Sequence, residues 1–335
     1  MSKVDIFSLG YTQEDLDKIK STYYVGNYSI DVLHSKILEV YKFLLNMGYS
    51  HNDVINITRG FLGIFVYDGE KLRERISDLV FLGFNRETVK KMVKMSPKIL
   101  SLSEACIEQK ILDLMKLGYS RDDVIKMSAK SSGILMRSVD TIKQKINDIQ
   151  KMGYQYKEVI KMAKNSPNIF CYSVDYLKQK ISELELLGFS NDDVIAISIK
   201  FPSILSYSID NIKQKIDDMV SLGYSRETVI NMIKDLPSLC GLSIDKIREK
   251  KDFYDSVGLS EIMIKKTSMI MQSVDLCYAR YMFYKSIGID ITMDNYLLLF
   301  CNQEKFKKKY GINNKDLIEM FGNVGECKKK INEKQ

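Results

Sequence analysis

The sequence predicts an all-α helical-repeat solenoid, and three observations carry that prediction. Gly48, Gly83, Gly118, Gly153, Gly188, Gly223 and Gly258 stand 35 residues apart, and Gly10 and Gly288 extend the series at spacings of 38 and 30. The four prolines keep the same register, at Pro97, Pro167, Pro202 and Pro237, with Ser132 in the vacant slot. Between these markers apolar residues recur at helical spacing, and no stretch reads as strand. A fixed period of this size means stacked supersecondary units, each unable to bury its apolar face alone. The expectation is about eight units of two helices each, of either superhelical hand. Residues 1–47 read as an N-terminal capping segment, 48–288 as the array, and 289–335 as a C-terminal cap with a basic tail.

The unit from Gly118 to Gly153 shows how each element is specified. Gly118 ends one helix, at the position where positive φ is needed. Ser120 caps the next, helix A, and Asp123 stands where a capping box places its acid. Val124, Ile125 and Met127 give helix A an apolar side. Near Ser131 the chain breaks. In most units proline makes this break, because it has no N–H to continue a helix and biases the residue before it to extended conformations. A short apolar pair then points inward, Ile204 and Leu205 in the FPSILSYS version of the phrase. Ser138 caps helix B, whose Val139, Ile142, Ile146, Ile149 and Met152 form a core-facing stripe. Two units carry Leu62 and Ser132 in the proline slot, and the array is expected to be least regular there. The unit after Gly258 is five residues shorter, with Thr267 in that slot.

Composition excludes several classes of function. No apolar run approaches the ~18 residues of a membrane span. The N-terminus, MSKVDIFSLGYTQEDLDKIK, has no signal-peptide core and is not an obvious transit peptide. Six scattered cysteines form no CxxC, and the two histidines, His34 and His51, have no cysteine near them in sequence. Buried free thiols are therefore expected, with no metal and no cofactor. The paired acids Asp122-Asp123 and Asp192-Asp193 sit at helix starts, where the dipole favours them. Nothing suggests an enzyme. The net charge of +7 permits a polyanionic partner without demanding one.

The unit LGYSxxxVIxMxKxxPxILxxSxDxIKxKIxxMxxLG resembles the mitochondrial transcription termination factor (mTERF) family. The LGF/LGYS helix start, the lysine at the end of helix A, the PxIL phrase and the IKQKI helix recur from about residue 47 to 258, and SVDLCYARYMFYKSIG with FKKKYG resembles the close of that family's arrays. The resemblance implies helix–helix–short 3₁₀ units, a curved superhelix and a basic groove that holds nucleic acid, usually duplex DNA. YSRDDVIKMSAK and FSNDDVIAISIK also resemble, more weakly, the first helix of transcription-activator-like effector repeats. Both resemblances point to DNA.

The charge distribution suggests which residues would do this. Over 84–97, 119–132, 154–167, 189–202 and 224–237 the net charge is +3, +1, +2, −1 and 0, so helix A is basic in the N-terminal half of the array. The candidate nucleic-acid contacts on helix A are Arg86, Lys90, Lys91, Lys94, Arg121, Lys126, Lys130, Lys161, Lys164, Lys200, Arg226 and Lys234. Lys126 and Lys130 project roughly opposite the apolar side. Lys94, Lys130, Lys164, Lys200 and Lys234 each stand just before a break. The arginines are suggestive because a cation at a helix start opposes the dipole. Helix B adds the column Lys143, Lys178, Lys213 and Arg248, with Arg73 before them.

A second helix B column, Lys110, Lys145, Lys180, Lys215 and Lys250, reads instead as packed stems paired along the helix with acids three residues on. Lys305, Lys307, Lys308 and Lys309, with Lys328, Lys329 and Lys330, form a basic C-terminal run that either is solvated or clamps phosphates. The expected mechanism is phosphate tracking by a monomer along a nucleic acid, duplex DNA being favoured and RNA the other candidate, in transcription regulation or termination. A protein-binding helical scaffold is the alternative, suited by the alternating Lys and Asp/Glu of helix B.

Overall fold

The computed structural model describes residues 6–22 and 26–322. Among these there are α-helices and 3₁₀ turns and no strand. The chain divides into two compact units, Met1–Gln179 and Lys180–Gln335.

The first unit opens with α1 (Gln13–Lys20) and α2 (Ile30–Asn46). The helices α3 (His51–Gly60), α4 (Gly69–Phe81), α5 (Arg86–Met95), α6 (Glu104–Lys116), α7 (Arg121–Lys130), α8 (Val139–Gln150) and α9 (Tyr156–Asn165) follow. The helix α10 (Val174–Leu186) carries the point of division. The odd-numbered helices α3, α5, α7 and α9 are the helices A of successive repeats and pack in one row, while α2, α4, α6 and α8 pack in a second. The 3₁₀ turns Leu62–Val66, Pro97–Ser101, Ser132–Met136 and Pro167–Phe170 run between them and also pack in series.

In the second unit come α11 (Asn191–Lys200), α12 (Ile209–Ser221), α13 (Arg226–Asp235), α14 (Ile244–Ser256), α15 (Ile262–Lys265), α16 (Val274–Ser286), α17 (Gln303–Tyr310) and α18 (Asn314–Phe321). Here α11 packs on α13, and α12, α14 and α16 pack in sequence. The repeat shortened by five residues after Gly258 takes up its loss in helix A, since α15 is a single turn. A cluster of rings closes the end, with the Phe283 ring centre 5.0–6.0 Å from those of Tyr284, Phe306, Tyr310 and Phe321. Arg280 is buried beneath it, donating to the Leu299 carbonyl at 2.8 Å and to Asn314 Oδ1 at 3.1 Å.

The local signals act as the sequence suggests. The repeat glycines from Gly48 to Gly288 all hold positive φ, and at Gly188, with φ 108°, a Cβ would also stand 2.8 Å from Ile230 Cδ1. Ser50, Ser120 and Ser190 cap α3, α7 and α11 in capping boxes with Asp53, Asp123 and Asp193. Ser138 and Ser208 cap α8 and α12. Val54, Val89, Val124 and Val159 in the first unit, and Val194 and Val229 in the second, are buried at one register of helix A, and the Ile204 and Leu205 pair is buried with its counterparts in every repeat. Burial of each such side chain stabilises the array by roughly 1.5–3 kcal/mol. The ring after each glycine, at Tyr49, Phe84, Tyr119, Tyr154, Phe189 and Tyr224, is buried as well.

The expected irregularity at Leu62 and Ser132 is not found at the break itself. Ser131 holds φ −151°, ψ 88°, and Phe61 holds −146°, 82°, beside −143°, 78° for Ser96, which precedes Pro97. The extended residue and the buried apolar pair after it make the turn, and proline only favours a conformation the repeat adopts without it. The thiols are less uniformly buried than expected: Cys240 and Cys277 are buried, Cys106 and Cys301 half-buried, and Cys171 exposed.

Candidate nucleic-acid interface

Three consecutive helices A place one lysine each at the same register. Lys91, Lys126 and Lys161 stand 35 residues apart, at the sixth position of α5, α7 and α9. All three are exposed, and among the described residues none of them makes a hydrogen bond, ion pair or ring contact. The same register holds Ala196 and Asn231 in the second unit. An ammonium with no protein partner on a packed row of helices is available to an external anion.

The lysines before the breaks behave differently, and they occupy two registers. Lys94, Lys164 and Lys234 lie 70 residues apart, and each reaches back 41 residues to the capping-box acid of the preceding helix A. The bridges are Lys94–Asp53 at 2.6 Å, Lys164–Asp123 at 2.8 Å and Lys234–Asp193 at 2.8 Å. The Lys164 hydrogen bond, with the Ser120 backbone N–H next, lowers the Asp123 carboxyl to about 2. Lys94 likewise lowers that of Asp53. Lys130 and Lys200 sit one position later. Lys130 donates to the carbonyls of Lys164 and Asn165 at 3.3 and 3.2 Å, a cation against the C-terminal end of α9. Lys200 is exposed with no such partner among the described residues. Lys90 lies 5.5 Å over the Tyr49 ring.

The arginines that start helices A have a structural use. Arg121 grips Glu108 with both terminal nitrogens at 2.8 Å and reaches the Leu82 carbonyl at 3.4 Å. Arg226 donates to the Leu187 carbonyl at 3.1 Å and stands 3.6 Å from Asp217. Tyr156, at the same register, donates to the Leu117 carbonyl at 2.9 Å. In each case the acceptor lies 39 residues back, in the residue that closes an earlier helix B, so this position ties repeats together. Arg86 has no such bond among the described residues.

On helix B, Lys143 and Arg248 make exposed i, i+3 pairs with Asp140 at 3.8 Å and Asp245 at 2.8 Å, a type of pair that contributes little. Lys178 and Lys213 are exposed without a partner among the described residues. The other column corrects the expectation of pairing along each helix. Lys180 does meet Glu183 at 2.9 Å, but Lys110 donates to the Arg137 carbonyl at 2.9 Å and Lys215 to the Leu242 carbonyl at 2.6 Å. Both acceptors lie 27 residues on, at the end of the next repeat's 3₁₀ turn. Lys250 donates in the same way to Ile270. Lys305, Lys307, Lys308 and Lys309 are exposed around buried Phe306, while Lys328, Lys329 and Lys330 lie outside the described residues.

A family model described as mTERF matches residues 74–185 and 177–286. The chain belongs to the mTERF family. The two matches cover most of the repeats, including α5, α7 and α9 with their three unpartnered lysines. With membership comes the coarse function, since mTERF proteins bind nucleic acid and are related to transcription termination. No curated protein matches the chain. No helix among the described residues is long and apolar enough to cross a membrane.

Proposed function

We propose that this mTERF protein binds double-stranded DNA as a monomer, without catalysing a reaction on it, and acts in transcription by occupying the duplex. The observation that carries this reading is the row Lys91, Lys126 and Lys161, one exposed and unpartnered ammonium per repeat. Packed helices lie about 8–10 Å apart, and a DNA strand carries a phosphate about every 3.4 Å of its axis. A row of this spacing laid along a duplex meets about every third phosphate of one strand. Lys178 is a further exposed cation of the first unit, and Lys200, Lys213 and the lysines of α17 are exposed cations of the second. Such contacts position a duplex without reading its bases.

The test is binding of the full chain to a mixed-sequence duplex and to an RNA hairpin across a range of salt. Three phosphate contacts predict that log K falls against log salt with a slope of at least about 2.7. Equal affinity for the hairpin overturns the preference for duplex DNA. Absent or salt-independent binding overturns the reading, and favours the protein-scaffold alternative.

A further inference from the structure

We infer that Arg73 and Arg86 form a slot for a single oxyanion, a backbone phosphate of the bound nucleic acid; the inference rests on the reading above. The two arginines line a cavity of about 350 Å³ together with Met47, Ile76, Ser77 and Val80.

The repeats themselves show what this place is built to hold. Arginine starts helix A in three repeats, at Arg86, Arg121 and Arg226. In two of them helix B supplies a carboxylate to it. Glu108, 13 residues before Arg121, accepts from both terminal nitrogens at 2.8 Å. Asp217, nine residues before Arg226, stands 3.6 Å from it. In the first of the three repeats those two registers hold Arg73 and Ser77. Both carboxylates are thus missing, and a second guanidinium occupies the place of one of them. Met47, which also lines the cavity, stands where Leu82 and Leu187 offer their carbonyls to Arg121 and Arg226.

The nearby acids do not compensate. Glu74 is engaged by Lys71 at 2.7 Å, and neither Glu70 nor Glu87 pairs with either arginine. Arg73 and Arg86 make no ion pair or hydrogen bond among the described residues. The Arg121–Glu108 pair shows that this geometry takes an oxyanion in a two-pronged grip, and guanidinium suits phosphate in the same way. Ser77 adds a hydroxyl donor at the wall. The slot lies in the same unit as the row of Lys91, Lys126 and Lys161.

Arg73→Glu tests this in the full chain, because it installs the carboxylate found in the next repeat. The substituted acid is expected to pair with Arg86, so the thermal midpoint is retained or raised. Two cations are withdrawn from the nucleic acid. The slot's one phosphate contact is lost with them, so the slope of log K against log salt becomes shallower by about 0.9, which is about an 8-fold loss of duplex affinity near 0.1 M salt. A second readout needs no nucleic acid: inorganic phosphate, compared with chloride at matched ionic strength, is expected to raise the thermal midpoint of the wild type and not of Arg73→Glu. If the wild type binds duplex and Arg73→Glu binds with the same affinity and slope, the slot is overturned and the wider reading stands. If the wild type ignores duplex yet shows the phosphate upshift that Arg73→Glu lacks, the anion slot stands and its nucleic-acid ligand is overturned. No upshift together with no change in duplex binding overturns the slot outright.

Discussion

Two sets of lysines on the same helices should respond oppositely to removal. The first set is Lys91, Lys126 and Lys161, exposed and without protein partners. The second is Lys94 and Lys164, each held at 2.6–2.8 Å by an aspartate of the preceding helix A. Replacing all three of the first set by glutamine keeps the stems and removes three charges. Counterion release assigns about 0.9 to the salt slope per phosphate neutralised, so the slope should fall by about 2.7, and duplex affinity near 0.1 M salt by about 500-fold. Stability should stay within about 0.5 kcal/mol per site, as for surface substitutions that break no contact. Replacing Lys94 and Lys164 by glutamine should lower stability and leave the salt slope nearly unchanged, because those charges are already neutralised. Fluorescence anisotropy with a labelled duplex across a salt series, together with urea denaturation, reads both quantities. Equal loss of affinity from both sets would refute the distinction between bridging and available lysines. So would a loss of stability, with no loss of binding, from the first set.

Other outcomes follow from the packing. Asp123→Asn removes a carboxylate lowered from 3.8 to about 2, principally by Lys164. A depression of that size corresponds to at most about 2.4 kcal/mol, and screening at this partly exposed pair reduces it to about 1 kcal/mol. Because the folded value is depressed, this contribution is present above pH 4 and lost as pH falls towards 2, so denaturation of the two proteins should converge over that window. Lys215→Met should cost about 1.5–3 kcal/mol, the range for a charged hydrogen bond left unmade at the Leu242 carbonyl, whereas exposed Lys213→Met on the same helix should be nearly neutral. Ser132→Pro should stabilise by about 0.4–1 kcal/mol, since the residue before it already holds a pre-proline conformation; a lower thermal midpoint would contradict that.

Much of this was legible because it is local and periodic. Caps such as Ser120 with Asp123, the glycine ends and the buried Ile–Leu pair are set by neighbours within a few residues. The roles of the cations were harder to read, because their partners lie 27, 39 or 41 residues away. Arg121 and Arg226 looked functional as cations at helix starts, but a carbonyl of an earlier repeat outweighs the unfavourable dipole there. The lysines before the break occupy two registers: Lys94, Lys164 and Lys234 belong to one, Lys130 and Lys200 to another. Aligning the repeats at 35 residues separates them, and shows that each bridging lysine stands one repeat after an aspartate in the capping box. The same alignment exposes Glu108 as the one acid in the register of Arg73, Lys143, Lys178, Lys213 and Arg248.

The lysine–aspartate bridges also set a rule for how this array can change length. They join α3 to α5, α7 to α9 and α11 to α13, and no such bridge joins α5 to α7 among the described residues. Repeats therefore come in couples, an acidic-capped member followed by a lysine-bearing one. Excising one repeat from the interior would set like members side by side and strand their charges, whereas excising or inserting two preserves every couple. Duplication in pairs is the growth step this chemistry tolerates. The α5–α7 seam, which has no such bridge, is spanned instead by the Ser132 hydroxyl on the Met92 carbonyl and by Arg121 on the Leu82 carbonyl.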